Sequence, residues 1–322
     1  MDYHAPWWLP GGHAQTIWPA LYAKRHQGPP PRFRRERWDT PDGDFVDVDF
    51  LAAPARPDQP LLVLFHGLEG NSQSQYVQAL ADQAGARGWA FAMPHFRGCS
   101  GELNLAPRAY HSGDFEEVGW MLARLKAAHK GPLLAAGVSL GGNALLRWAE
   151  EMGASAAATA RAVCAVCSPV DLTASGHAIG RGFNRQVYTR MFLRSMLPKA
   201  MRKLAQHPGL FDGERLRAAR DLYEFDNLFT APLHGFRNTD DYWQRASAKP
   251  HLQQIRIPAL LLNARNDPFV PAACLPTVRE AGTWVTLWQP AQGGHVGFPQ
   301  GRPPGHVFTM PRQVCDWLGQ TL

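Results

Sequence analysis

Short, almost wholly apolar runs recur along this chain at Leu61–Phe65, Ala90–Met93, Leu133–Val138, Ala162–Val166, Ala259–Leu262 and Trp284–Trp288. Continuous runs of this length suit strands buried on both faces, as in a parallel sheet. Between most of them the apolar positions repeat with a helical period, over Tyr76–Arg87, Phe115–His129, Leu140–Met152, Ala272–Ala281 and Phe308–Leu318. Strand and helix alternate, which predicts an α/β fold, a mostly parallel sheet flanked by helices with right-handed crossovers. Ahead of it, Phe33–Trp38 and Phe45–Leu51 flank Pro41-Asp-Gly-Asp44, a β-hairpin signal. Residues 1–31 are rich in Pro, Gly and Trp, show no clear period and read as an extended arm. One interval breaks the rhythm. Thr173–Pro250 is too long for a simple crossover and carries helical patterns at Asn184–Leu197 and Gly213–Tyr223. The expected organisation is a core made of 1–172 and 251–322, with a helical cap inserted at 173–250.

Composition narrows the classes. With 322 residues, 45% apolar and 19% charged, the chain can bury a large core without staples. No apolar run approaches a membrane span. The start, MDYHAPWWLP, lacks the basic and apolar regions of a signal peptide, so the cytoplasm is the expected location. Five scattered cysteines do not form a secreted disulfide framework. Cys164 and Cys167 have metal-like spacing, but residues three apart on a strand face opposite ways, so they read as buried thiols. No two histidines at helical spacing flank a glutamate either. Neither metal nor cofactor is expected.

The strongest motif is Gly137-Val-Ser139-Leu-Gly-Gly142, between an apolar strand and a helical run. A serine on such a tight turn projects its hydroxyl from the C-terminal edge of the sheet, and the glycines leave room for the turn. Ser139 is therefore the candidate nucleophile. A hydroxyl needs a base. His295, in the Gly-rich loop after the last strand, fits better than His66 or His306. The imidazole needs a carboxylate to fix its tautomer. Asp267, after the strand Ala259–Leu262, is preferred over Asp171, one strand earlier, because its strand precedes that of the histidine. Acyl transfer also needs donors for a developing oxyanion. The backbone N–H groups of Leu140 and of Leu68, in His66-Gly67-Leu68-Glu69-Gly70, are the candidates.

These motifs resemble the α/β-hydrolases. Pro6-Trp-Trp, Gly12-His13-Ala-Gln15-Thr16, Thr40-Pro-Asp-Gly-Asp and Phe96-Arg97-Gly98-Cys99-Ser100-Gly101-Glu102 resemble more narrowly the YheT/Emb8-like branch of esterases. The resemblance spans nearly the whole chain. It implies an α/β-hydrolase fold and a serine esterase or lipase-like activity on a small-molecule ester. Some relatives are credited with an acyltransferase-like His-x4-Asp pattern. Here the stretch is His111-Ser-Gly-Asp-Phe-Glu116, with Glu in the final position, and His111 and Asp114 read as structural. The expected reaction is hydrolysis of short- to medium-chain carboxylic esters through an acyl-enzyme. Transfer to another acceptor and a non-catalytic binding protein are the alternatives.

On a helical wheel Val187, Tyr188, Met191, Phe192 and Met196 share one face, with Arg190 and Arg194 roughly opposite. Met191, Phe192 and Met196 are candidate liners of an acyl pocket. The net charge of +6 lies wholly in Thr173–Pro250, which holds 13 Lys/Arg against 7 Asp/Glu. Arg181 to Lys203 contains seven basic residues and no acid. Two readings of this basic cap follow: a solvated surface, or a peripheral contact with anionic membrane or an acidic substrate. No recognition motif points to nucleic acid, and the basic run Arg32–Arg37 lies beside many aspartates.

Overall fold

The computed structural model describes residues 3–52, 56 and 58–322. Its centre is one sheet of eight strands in the order β1-β2-β4-β3-β5-β6-β7-β8. They are β1 Phe33–Asp39, β2 Phe45–Leu51, β3 Leu61–Phe65, β4 Ala90–Pro94, β5 Leu133–Val138, β6 Ala162–Val166, β7 Ala259–Leu262 and β8 Val285–Trp288. The strands from β3 onward run parallel. The hairpin β1–β2 joins the edge antiparallel to β4. Its turn closes as the Asp-Gly pair predicts, with Gly43 N–H bonded to Thr40 O at 3.0 Å.

Strand periodicity divides the interior into two cores. Along β3, Leu61, Val63 and Phe65 pack on one face, and Leu62 and Leu64 on the other. The first face is covered by α3 (Phe115–Ala128) and α4 (Leu140–Met152), the second by α2 (Gln75–Ala86) and the C-terminal helix Thr309–Gly319. Burial on both faces is why these strands carry no alternation. The basic run beside the hairpin turn is neutralised locally: Arg35 pairs with Asp49 at 2.7 Å and Arg37 with Asp47 at 2.8 Å.

After β3 the chain first builds outward to β4, then crosses back to β5. The loops following β3 and β5 therefore diverge at the C-terminal edge and leave a crevice between them.

Several expected elements differ. The arm is not extended throughout: Gly11–Leu21 is a helix, α1. No side chain caps it, two glycines open it and Pro19 lies inside it, so propensity hid it. Its stability comes from packing, because Gln15, Thr16 and Pro19 are buried. Ala272–Ala281 is not one helix but two short turns, Ala272–Cys274 and Val278–Ala281, interrupted at Pro276. Gly213–Tyr223 likewise splits into Gly213–Arg217 and Leu222–Phe225, capped by Asp212 and Asp221. The pattern at Asn184–Leu197 is part of a longer helical run from Gly182 to Gln206, with a π turn at Arg185–Thr189.

Candidate active site

Ser139 stands between β5 and α4 with φ +53°, a left-handed conformation that non-glycine residues rarely hold. The turn is compressed around it. A Cβ at Gly137 would lie 2.5 Å from Gly141 O, and one at Gly141 would lie 2.4 Å from His66 O. The glycines are thus required by close backbone approach.

Three chemistry-bearing residues from separate loops meet here. Ser139 Oγ lies 3.1 Å from His295 Nε2, and His295 Nδ1 lies 2.8 Å from Asp267 Oδ2. The other Asp267 oxygen accepts the N–H groups of Phe269 (2.8 Å) and Val270 (3.3 Å). With Nδ1 protonated toward the carboxylate, Nε2 is free to receive the serine proton. Asp171 is elsewhere: its carboxylate caps α5 (Leu172–Ile179) by accepting Ala174 N–H at 2.9 Å. His66 is buried and braces two loops, with Nδ1 on Gly67 O and Nε2 accepting Phe96 N–H.

Leu68 and Leu140 both reach the cavity wall beside Ser139. Among the described residues, no backbone carbonyl accepts from either N–H. Glu69 follows Leu68 with φ +58°. Its N–H is held by the Tyr110 hydroxyl at 3.0 Å, and its carboxylate accepts from Tyr110 (2.8 Å) and Lys199 (2.6 Å). Sequence reading missed this clamp, which fixes the loop carrying Leu68.

It also missed how the arm enters the site. Thr16 Oγ1 accepts the backbone N–H of His295 at 2.8 Å. Gln15 Oε1 accepts from Gly293 N–H and Asn266 Nδ2, both at 2.9 Å. One helix therefore ties the loop of His295 to the loop of Asp267. The fit leaves no slack, since a Cβ at Gly297 would stand 1.7 Å from Gln15 O. The signal in the sequence was the polar pair Gln15-Thr16 within the motif Gly12-His13-Ala-Gln15-Thr16.

Cys167 and Cys164 do not face opposite ways. Cys167 lies beyond the end of β6 with φ +50°, and both pack into the same core. Cys167 Sγ accepts Val296 N–H at 3.2 Å, beside His295. Donor atoms of Cys167, Asp267 and His295 lie within 4.8 Å of one another. They fit a metal poorly. Burial, with Asp267 nearby, pushes the thiol well above its ordinary range, and the Asp267 bond engages His295 Nδ1.

An apolar cavity of about 160 Å³ opens from Ser139 and His295. Phe192 and Met196 line it, with Ile179, Leu222, Phe225 and Phe229. Met191, expected among the liners, is on the outer side of its helix and 55% exposed. The turn of 100° per residue, with Phe192 and Met196 inward, carries it out. Val187 is exposed with it, whereas Tyr188 is buried. The basic face is also split. Lys199 points inward to Glu69, and Lys203 donates to the carbonyl oxygens of Asn104 (2.5 Å) and Ala106 (2.9 Å). Burial lowers the Lys203 amine to about 8. Asp226 also lines the cavity, held by Thr230 and Trp243, and burial pushes it up to about 6. His111 lines the cavity too, 4.0 Å from Asp114, whose carboxylate takes Arg108 at 2.6 Å.

Comparison with known proteins agrees with this architecture. The family described as alpha/beta hydrolase fold matches residues 60–301. The Escherichia coli (strain K12) protein "Putative esterase YheT" is 37% identical over 310 residues, covering 95% of this chain and 89% of its own length. Mouse "Phospholipase ABHD3" is 29% identical over 325 residues, covering 96% of this chain and 76% of its own. Among solved structures, mouse alpha/beta hydrolase domain-containing protein 10 superposes with a TM-score of 0.54 at 14% identity. It covers 90% of this chain and all of that one, a likeness of fold.

Proposed function

The chain belongs to the α/β-hydrolase family, in the branch that holds YheT, and from that premise we propose that it hydrolyses carboxylic esters through an acyl-enzyme. The observation that carries this reading is the hydrogen-bonded relay Ser139–His295–Asp267 at the mouth of an apolar cavity. Ser139 Oγ attacks the ester carbonyl as its proton passes to His295 Nε2. Asp267 holds the imidazole in register and stabilises its cation. The Leu68 and Leu140 N–H groups receive the oxyanion. His295 returns the proton to the departing alkoxide, and water then cleaves the acyl-serine by the same route in reverse. Phe192 and Met196 accept the acyl chain, and the helical segment between β6 and β7 serves as the cap. The names esterase and phospholipase borne by the two relatives favour an ester substrate with an alkyl chain.

A fluorophosphonate probe and a chain-length series of aryl esters test this. Wild-type protein is expected to label and to turn esters over. Ser139→Ala should lose labelling and at least about a thousandfold in turnover. Labelling that survives in Ser139→Ala, or turnover that needs an added alcohol acceptor, overturns it.

A further inference from the structure

The outer side of the helical run Gly182–Gln206 has a composition of its own. Phe183, Val187 and Met191 recur every fourth residue and are all exposed. This apolar stripe continues onto α1. His13 lies against Phe183 with ring centroids 4.5 Å apart and bonds the Tyr188 hydroxyl at 3.1 Å. Further along α1, Leu21 and Tyr22 are about 60% exposed, and Tyr22 packs on Trp18 at 4.6 Å. Trp18 in turn meets Trp8, and the neighbouring Trp7 is 92% exposed. Indole and phenol rings with wet edges beside aliphatic side chains match the polar–apolar boundary of a lipid leaflet.

Cations flank the stripe and stand free. The ion pairs of the segment between β6 and β7 employ Lys199, Arg237, Arg245 and Lys249. Among the described residues, Arg181, Arg185, Arg190 and Arg194 pair with no carboxylate. The sequence places no Asp or Glu between Leu172 and Phe211. A second copy of this chain would bring like charges together across the face. A nucleic acid would find phosphate partners but leave the apolar stripe bare. A surface of anionic headgroups above acyl chains satisfies both halves.

We propose that α1 and the outer side of Gly182–Gln206 dock this protein on an anionic lipid surface. The docking face adjoins the active site through three ring contacts. His13 meets Tyr188, Tyr188 meets Phe269 at 4.6 Å, and Phe269 lies over His295 at 4.2 Å. A docked molecule therefore holds the Ser139 cavity close to the lipid. Docking does not depend on the esterase reading, so it is measured on Ser139→Ala protein as well.

The test is co-sedimentation with vesicles of phosphatidylcholine, alone or with about 30% phosphatidylglycerol, over a range of salt. Binding to the anionic vesicles is expected to exceed binding to neutral ones by about tenfold and to fall steeply with salt. Arg190→Gln with Arg194→Gln should lose several-fold to about tenfold of that binding. Val187→Ser with Leu21→Ser should weaken binding to both vesicle types, and both double variants should keep turnover of a soluble ester. No binding, or equal and salt-insensitive binding to both vesicles, overturns the proposal. So does displacement by a soluble oligonucleotide that itself binds more tightly, or a dimer in sedimentation equilibrium that Val187→Ser with Leu21→Ser dissolves.

Discussion

Thr16 places a hydroxyl oxygen on the backbone N–H of His295, more than two hundred residues away in sequence. Thr16→Val keeps the shape and leaves that N–H without its partner, at a cost of about 1–3 kcal/mol. The loop can then relax and carry the imidazole off Ser139 Oγ. Turnover should fall by about tenfold or more with KM little changed, and Thr16→Ser should restore it. Steady-state kinetics on an aryl ester with all three proteins checks this. Asp226 gives a pH prediction. Burial raises its folded value to about 6 from 3.8, so the native state favours the neutral acid. The unfolded chain loses that proton first, so the native state is penalised increasingly as pH rises from about 4 to about 6, and fully above it. Asp226→Asn, with the Thr230 hydroxyl reversed to accept, should be more stable than wild type at pH 8 by about 1–3 kcal/mol. The gain should vanish near pH 4, as read by denaturant unfolding at the two pH values.

Helix α1 has the local sequence of a loop and the tertiary role of a clasp. Its first turn approaches the loop of Asp267 so closely that a Cβ on Gly12 would stand 1.9 Å from Asn266 O. Gly12→Ala must push the helix away, costing about 1–3 kcal/mol, and should lower the unfolding midpoint and ester turnover together. Gly28→Ala, with nothing within 4 Å of the added carbon, should change neither. The strands were far more legible. β3, β5, β6 and β7 begin and end where their apolar runs do, because a strand buried on both faces is defined by continuity alone. The helices between β6 and β7 were less so. Asp221 starts a new helix inside what periodicity read as one from Gly213 to Tyr223, and that start was set by a side-chain cap.

Across the whole molecule, the net charge of +6 sits in the segment between β6 and β7, but its parts have different fates. Lys199 and Lys203 turn inward to Glu69 and to backbone carbonyls, while Arg181, Arg190 and Arg194 are exposed and Arg185 is half-buried. No helix of the described residues is long and apolar enough to cross a bilayer. The sequence by itself determined the alternation of buried strands and helices, the strained turn at Ser139, and the chain order of serine, aspartate and histidine. Those are local properties, written in short runs of apolar residues and in glycines. Only the tertiary structure decided that Asp267 rather than Asp171 meets His295, and that α1 clasps both loops. It alone decided which side of the Gly182–Gln206 run faces the cavity. Each of these depends on which surfaces close packing brings together across long sequence separations, and no window of neighbouring residues contains that information.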